Sequence, residues 1–296
     1  MSTTEKKIYA TYFGDRSRLF RLTLVTSLLT LITVGVYRFW AKTRIRKYIW
    51  SSTRGDGAQF EYTGTGLEKF LGFLVAITIL AVYLGIIQIV LFFYGLQLFV
   101  ESEFSGQWLL QIGAFSITFL AVLPLIFFAQ YRARRYKLAR TRWRGVRFGM
   151  DQAGWSYAWR ALMYTALAGV TLGVLLPLMS FRLEKFMTDR MWYGDAKFTQ
   201  GGKWTKLYGA MVHMFIGVAI IIGSGIVMGV MQTDTMGVVF GFIGCIWFFV
   251  GTVVYRVRAF KYLMQNKVLG EDIIFYSKVQ ASEIITAAII GTLVVG

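Results

Sequence analysis

The chain has 296 residues, 56% of them hydrophobic and only 16% charged, with 31 Gly, 9 Trp, 2 Pro and the single Cys245. Soluble domains of this length do not carry that balance, whereas Gly and Trp are typical of membrane helices and their interfaces. The net charge of +17 sits beside apolar runs, where Lys and Arg orient a membrane chain and meet anionic lipid headgroups, so nucleic acid is excluded as a partner.

Taken in chain order, residues 1 to 21 mix acidic and basic groups, and no small-residue cleavage site follows, so no signal peptide is read. The first apolar run, 22 to 37, holds 16 residues between Arg21 and Arg38. That is about 24 Å of helix against a hydrocarbon core of about 30 Å, which is short for a crossing. It also carries Thr33-Val34-Gly35, where a helix can break. A basic stretch follows, then two uncharged runs, 70 to 100 and 104 to 131, each long enough to span a bilayer. The tip between them, Glu101 to Gln107, has acid and no base. After the basic stretch 132 to 160, the run 161 to 181 repeats the break as Thr171-Leu172-Gly173. A second spanning pair, 207 to 233 and 235 to 255, turns at Gln232-Thr233-Asp234. The run 284 to 296 reads as a partial repeat or a shortened terminus.

One pattern occurs four times beside these runs: an Arg, a basic residue three positions on, then an aromatic. The copies are Arg44, Lys47 and Tyr48; Arg132, Arg135 and Tyr136; Arg182, Lys185 and Phe186; Arg258, Lys261 and Tyr262. Phe60, Phe148 and Phe198 follow the first three aromatics at a spacing of twelve, and Phe275 follows the fourth at thirteen. The regularity argues for duplication within a single membrane domain, residues 1–296, with halves 1–147 and 148–281. The expected fold is an all-α integral membrane protein. Each half comprises a short re-entrant or interfacial segment and a transmembrane helical hairpin. All 32 basic residues then lie on the cytoplasmic side, in keeping with the positive-inside bias. The alternative is seven ordinary crossings with basic loops on both sides.

The stretch Leu31 to Lys42, with Arg44 to Trp50 and Phe60-Glu61-Tyr62-Thr63-Gly64-Thr65-Gly66, closely resembles the YjgN-like family of bacterial inner-membrane proteins. The match is specific over residues 13 to 75. Further on, the Tyr37-Arg38-Phe39-Trp40 core is replaced by Ala129-Gln130-Tyr131-Arg132 and by Met179-Ser180-Phe181-Arg182. The resemblance implies a bacterial inner-membrane location. It carries over no activity and no functional residues.

Chemistry therefore rests on the residues themselves. His213 is the only histidine, and no Asp or Glu lies within a long run, so neither a histidine zinc site nor a Ser-His-Asp triad can be assembled. No enzyme activity, cofactor or metal is expected. His213 reads as a packing residue between Gly209 and Gly217, or as a residue beside a water-filled path. The basic pairs lie on one helical face each; they read as headgroup anchors or, brought together, as an anion site for lipid phosphate or small anionic solutes. Two functions follow. One is a transporter, channel or lipid-translocating protein, with Thr33, Gly35, Thr171, Gly173 and His213 along its path. The other is a non-transporting protein that binds anionic lipid or a partner protein through its basic face.

Overall fold

A computed structural model describes residues 10–96, 107–231, 234–270, 273–277, 280 and 282–286. The acidic tip before Gln107, Gln232, Thr233 and most of the run 284 to 296 lie outside the described residues. Among the described residues, four helices are long and apolar enough to cross a membrane: Gly66–Phe93, Trp108–Ala139, Trp204–Val230 and Thr235–Gln265. These are the four long runs read from the sequence. Two extend further at one end, because α4 (Gln107–Ala139) and α8 (Asp234–Gln265) continue as helix through their basic segments.

The two short runs become helix pairs. In the first, α1 (Arg16–Ile32) is capped by Asp15, whose carboxylate accepts from the Ser17 amide at 2.9 Å, and α2 (Arg38–Ser51) follows after five residues. α1 ends in a Schellman turn: Gly35 N–H donates to Thr30 at 2.7 Å and Val34 N–H to Leu31 at 3.0 Å. Val34 occupies the left-handed region at φ 50 and Gly35 follows at φ 87. The left-handed region is costly for a β-branched residue, so the flanking bonds must hold it. The Thr33 hydroxyl adds one by accepting from the Tyr37 amide at 2.9 Å.

The second pair is α5 (Gly154–Val170) and α6 (Leu176–Thr188). Its break is the same bond for bond. Gly173 N–H donates to Ala168 at 2.7 Å, Leu172 N–H to Gly169 at 3.0 Å, and the Thr171 hydroxyl accepts from the Leu175 amide at 3.3 Å. Leu172 and Gly173 have φ 49 and 87. The apex residues Val34 and Leu172 are 92% and 95% exposed.

Short strands, which the sequence reading did not anticipate, close the basic segments. They are β1 (Ala10–Tyr12), β2 (Thr53–Gly55), β3 (Ala58–Tyr62), β4 (Thr141–Trp143), β5 (Val146–Met150), β6 (Met191–Tyr193), β7 (Ala196–Gln200), β8 (Lys267–Leu269) and β9 (Ile273–Ile274). Two-residue turns with positive φ, Asp56-Gly57 and Arg144-Gly145, join β2 to β3 and β4 to β5. The fourfold pattern now has a place: each copy lies near the end of the second helix of a pair, α2, α4, α6 or α8. Phe60, Phe148 and Phe198 each fall in the second strand of the hairpin that follows.

Each helix pair leaves from one strand and returns to a strand paired with it. β1 pairs with β2 across α1 and α2, Thr11 opposite Arg54. β3 pairs with β4 across α3 (Gly66–Phe93) and α4, Phe60 opposite Trp143. β5 pairs with β6 across α5 and α6, Met150 opposite Met191. β7 pairs with β8 across α7 (Tyr208–Met231) and α8, Phe198 opposite Leu269.

The chain forms two compact units. The described part of the first covers 10–96, 107–163 and 190–196. Trp143 stacks on Phe60 at 5.8 Å in this unit, and the buried Tyr131 donates to the Asp151 carbonyl at 2.8 Å. The second covers 164–189 and 197–286 in its described part, with a core of Phe181, Leu207, Met211, Met214, Tyr255 and Leu263. Ser180 and Tyr255 share a hydrogen bond there. α7 and α8 touch along small residues: a Cβ on Gly217 would meet the Phe248 backbone at 2.7 Å, and one on Gly251 the Met214 amide nitrogen at 2.7 Å. Gly209, Gly223, Gly225 and Gly229 face open space, so only some of the α7 glycines form the seam.

Candidate functional site

In the first unit, α1, α2 and β3 enclose an open cleft of about 630 Å³. α1 contributes Arg18, Arg21, Leu22 and Val25, which share one helical face by their spacing of three, four and seven. The sequence thus sets two cations at the outer end of this face and two apolar side chains a turn further on. α2 contributes Lys47, Tyr48 and Ser51, and β3 contributes Gln59 to Tyr62. Tyr48 ties the helices together: its hydroxyl donates to the Asp15 carbonyl at 2.9 Å, and the Arg18 guanidinium lies 5.6 Å over its ring. Arg21, Lys47 and Glu61 have no ion-pair partner among the described residues. Three cations therefore face one carboxylate around a space bounded on one side by Leu22 and Val25.

The opposite face of α2 carries a second basic row, Arg38, Lys42 and Arg46. Burial, and then the neighbouring Arg38, Arg46 and Lys69, hold the Lys42 ammonium below the usual lysine value. Arg46 and Lys69 are already engaged, at 5.2 and 5.0 Å from the centre of the Tyr62 ring, and Lys69 also donates to the Thr43 hydroxyl at 2.9 Å.

The residues expected from the sequence divide by what holds them. Lys47 lines the cleft. Arg44 stacks over Tyr37 at 5.7 Å and Arg132 over Phe128 at 6.0 Å, both exposed. Arg135 donates to the Met150 carbonyl at 3.0 Å, fixing α4 to β5. In the second unit, Lys185 is spent on the Gln200 carbonyl at 2.7 Å and the Asp189 carboxylate at 3.1 Å. Arg258 reaches the Gly209 carbonyl at 3.5 Å, Arg182 is exposed and Lys261 half-buried. Thr33, Gly35, Thr171 and Gly173 form the two helix breaks. His213 packs between α7 and α8, its ring 6.2 Å from that of Trp247, with no hydrogen-bond partner among the described residues.

Sequence reasoning missed Arg18, Arg21 and Glu61 as partners of Lys47. The spacing of Arg18 and Arg21 ahead of Leu22 and Val25 was a visible signal. Their meeting with β3 depends on the β1 to β2 pairing, which no pattern announces. Among the described residues no group of His, Cys, Asp or Glu is arranged to hold a metal ion.

Residues 8–295 match the family model DUF898, described as bacterial protein of unknown function. The chain is 25% identical over 164 residues to inner membrane protein YjgN of Escherichia coli O157:H7, covering 55% of this chain and 36% of that protein. It is 24% identical over 227 residues to inner membrane protein YjgN of Salmonella typhimurium, covering 76% of this chain and 47% of that protein. The chain thus spans less than half the length of these relatives. No solved structure matches it significantly.

Proposed function

The chain belongs to the DUF898 family of bacterial proteins of unknown function, and from that premise we propose an inner-membrane protein that binds the phosphate of a lipid headgroup in the cleft between α1, α2 and β3. The relatives named as inner membrane proteins support the location. The observation that carries the binding is the pairing of Arg21 and Lys47, cations without an ion-pair partner among the described residues, with the apolar Leu22 and Val25 one turn further along α1. A guanidinium fork suits phosphate oxygens, and the apolar wall suits an acyl chain running from that phosphate.

The same reading has the chain cross the bilayer four times, with α1–α2 and α5–α6 entering and returning. Its support is the strand pairing: strands in a ladder lie about 4.8 Å apart, and a hydrocarbon core of about 30 Å cannot separate them. β1 with β2, and β5 with β6, bracket the two short helix pairs, so both ends of each pair belong on one side. The matching breaks support two similar halves. The concentration of cations in the strand-bearing segments supports a cytoplasmic placement of that side.

The test is binding of phosphatidylglycerol and phosphatidylethanolamine to detergent-purified protein, followed by native mass spectrometry. Arg21→Gln with Lys47→Gln is expected to weaken both by at least about tenfold, as loss of charge-assisted bonds implies. Arg132→Gln, outside the cleft, leaves both unchanged. Equal affinities in the double variant and the parent would refute the site. The second reading, lipid or anion translocation, is favoured by the paired helix breaks. Lipid scrambling in proteoliposomes that is lost on changing Thr33 and Thr171 would support it, and binding without flux would leave the binding role alone.

A further inference from the structure

Glu61 is out of place in a site for a purely anionic ligand. It stands opposite Arg142 in the β3 to β4 register, where opposite charges ordinarily pair. No ion pair joins them, and the Arg142 Nε is buried without a hydrogen-bond partner. Glu61 instead lines the cleft with Arg18, Arg21 and Lys47. An unpaired carboxylate beside three cations repels a phosphate, and that cost is recovered only if the ligand brings its own positive charge. We infer that the cleft selects a phosphodiester bearing a primary amine, the phosphoethanolamine group, with its phosphate on Arg21 and Lys47 and its ammonium on Glu61.

This rests on the cleft being the headgroup site. An ammonium donates charge-assisted hydrogen bonds to a carboxylate, whereas the hydroxyls of a phosphoglycerol group offer only neutral donors. Glu61 therefore sets the choice of headgroup and the cations set the hold on phosphate. Leu22 and Val25 distinguish a lipid from a soluble ester of the same chemistry, because only the lipid covers them.

The experiment compares phosphatidylethanolamine with phosphatidylglycerol on the full chain, in the parent and in Glu61→Gln, which keeps the side chain's size. The parent is expected to prefer phosphatidylethanolamine. Glu61→Gln should lower its affinity about tenfold, the value of one charge-assisted bond, while phosphatidylglycerol binds as well or better. Thermal unfolding of both proteins shows whether the variant is folded. If Glu61→Gln leaves the preference unchanged, or shifts both lipids alike, the amine inference is overturned. If Arg21→Gln with Lys47→Gln abolishes both lipids in that same set, the phosphate site survives without it. If the double variant loses neither, the cleft itself is refuted. Glycerophosphoethanolamine is the soluble arm: competition only at much higher concentration supports a lipid, and competition at equal concentration assigns the same headgroup chemistry to a soluble ester.

Discussion

Gly217→Leu and Gly251→Leu are each expected to disrupt the α7–α8 hairpin, at a cost of about 3 kcal/mol or more, because the obstacle is backbone and has no rotamer to yield. A Cβ at Gly217 meets Phe248 N and Cα at 2.7 Å, and one at Gly251 meets Met214 N at 2.7 Å and His213 C at 2.8 Å. Small residues at a membrane helix contact let dispersion act between backbones, and there is little hydrophobic gain to replace it. The comparison is Gly223→Leu, on the same helix with nothing within 4 Å of its Cβ, which should leave stability nearly unchanged. Thermal unfolding of detergent-purified protein separates them. A similar fall for Gly223→Leu would mean that helix distortion, and not the close approach, sets the cost.

Lys267→Ala is expected to be the most damaging change among the charged residues. Its ammonium lies 3.0 Å from Glu184 Oε1, and the two side chains are 8% and 21% exposed. Thr188 also donates to this carboxylate, at 3.2 Å. Removing one partner of a buried ion pair costs about 3 to 5 kcal/mol, while replacing both by apolar groups is near neutral. Lys267→Met with Glu184→Leu should therefore recover most of the stability lost in either single variant. Lys185 and Asp189, at 39% and 33% exposure, are screened by water, and Lys185→Ala should cost far less. Single variants of the Lys267 pair that unfold at the parent's temperature would show the pair to be energetically idle.

The four helices able to span a membrane were legible because such runs exclude charge, and the gaps between basic residues mark them directly. Their basic ends were not, because hydropathy falls at Arg132 and Arg256 while the helix runs on to Ala139 and Gln265. The Thr-x-Gly breaks could be read, since glycine one place after a left-handed residue ends a helix by a specific pair of bonds. Strands of three residues, such as β2 and β4, are too short for an alternating pattern to show. The spacing from Tyr48 to Phe60 was visible, while its cause, a hairpin following each second helix, was not. Lys47 could be found from the repeat. Arg18, Arg21 and Glu61 could not, because strand pairing brings them to it. Glu184 and Lys267 lie far apart in the chain and meet only through β7 and β8.

The central claim, that the short helix pairs enter the membrane and return so that the cleft and the strands share one face, is tested most directly by thiol accessibility on either side of α5 and α6. Single cysteines at Val146 and Asp195, both exposed, are placed in a Cys245→Ala background with a third at Ser105 in the acidic tip. In intact cells a membrane-impermeant reagent should spare residues 146 and 195 and label 105; after permeabilisation all three should react. Labelling of Asp195→Cys in intact cells with Val146→Cys protected would carry the chain across the bilayer between β5 and β6 and contradict the account.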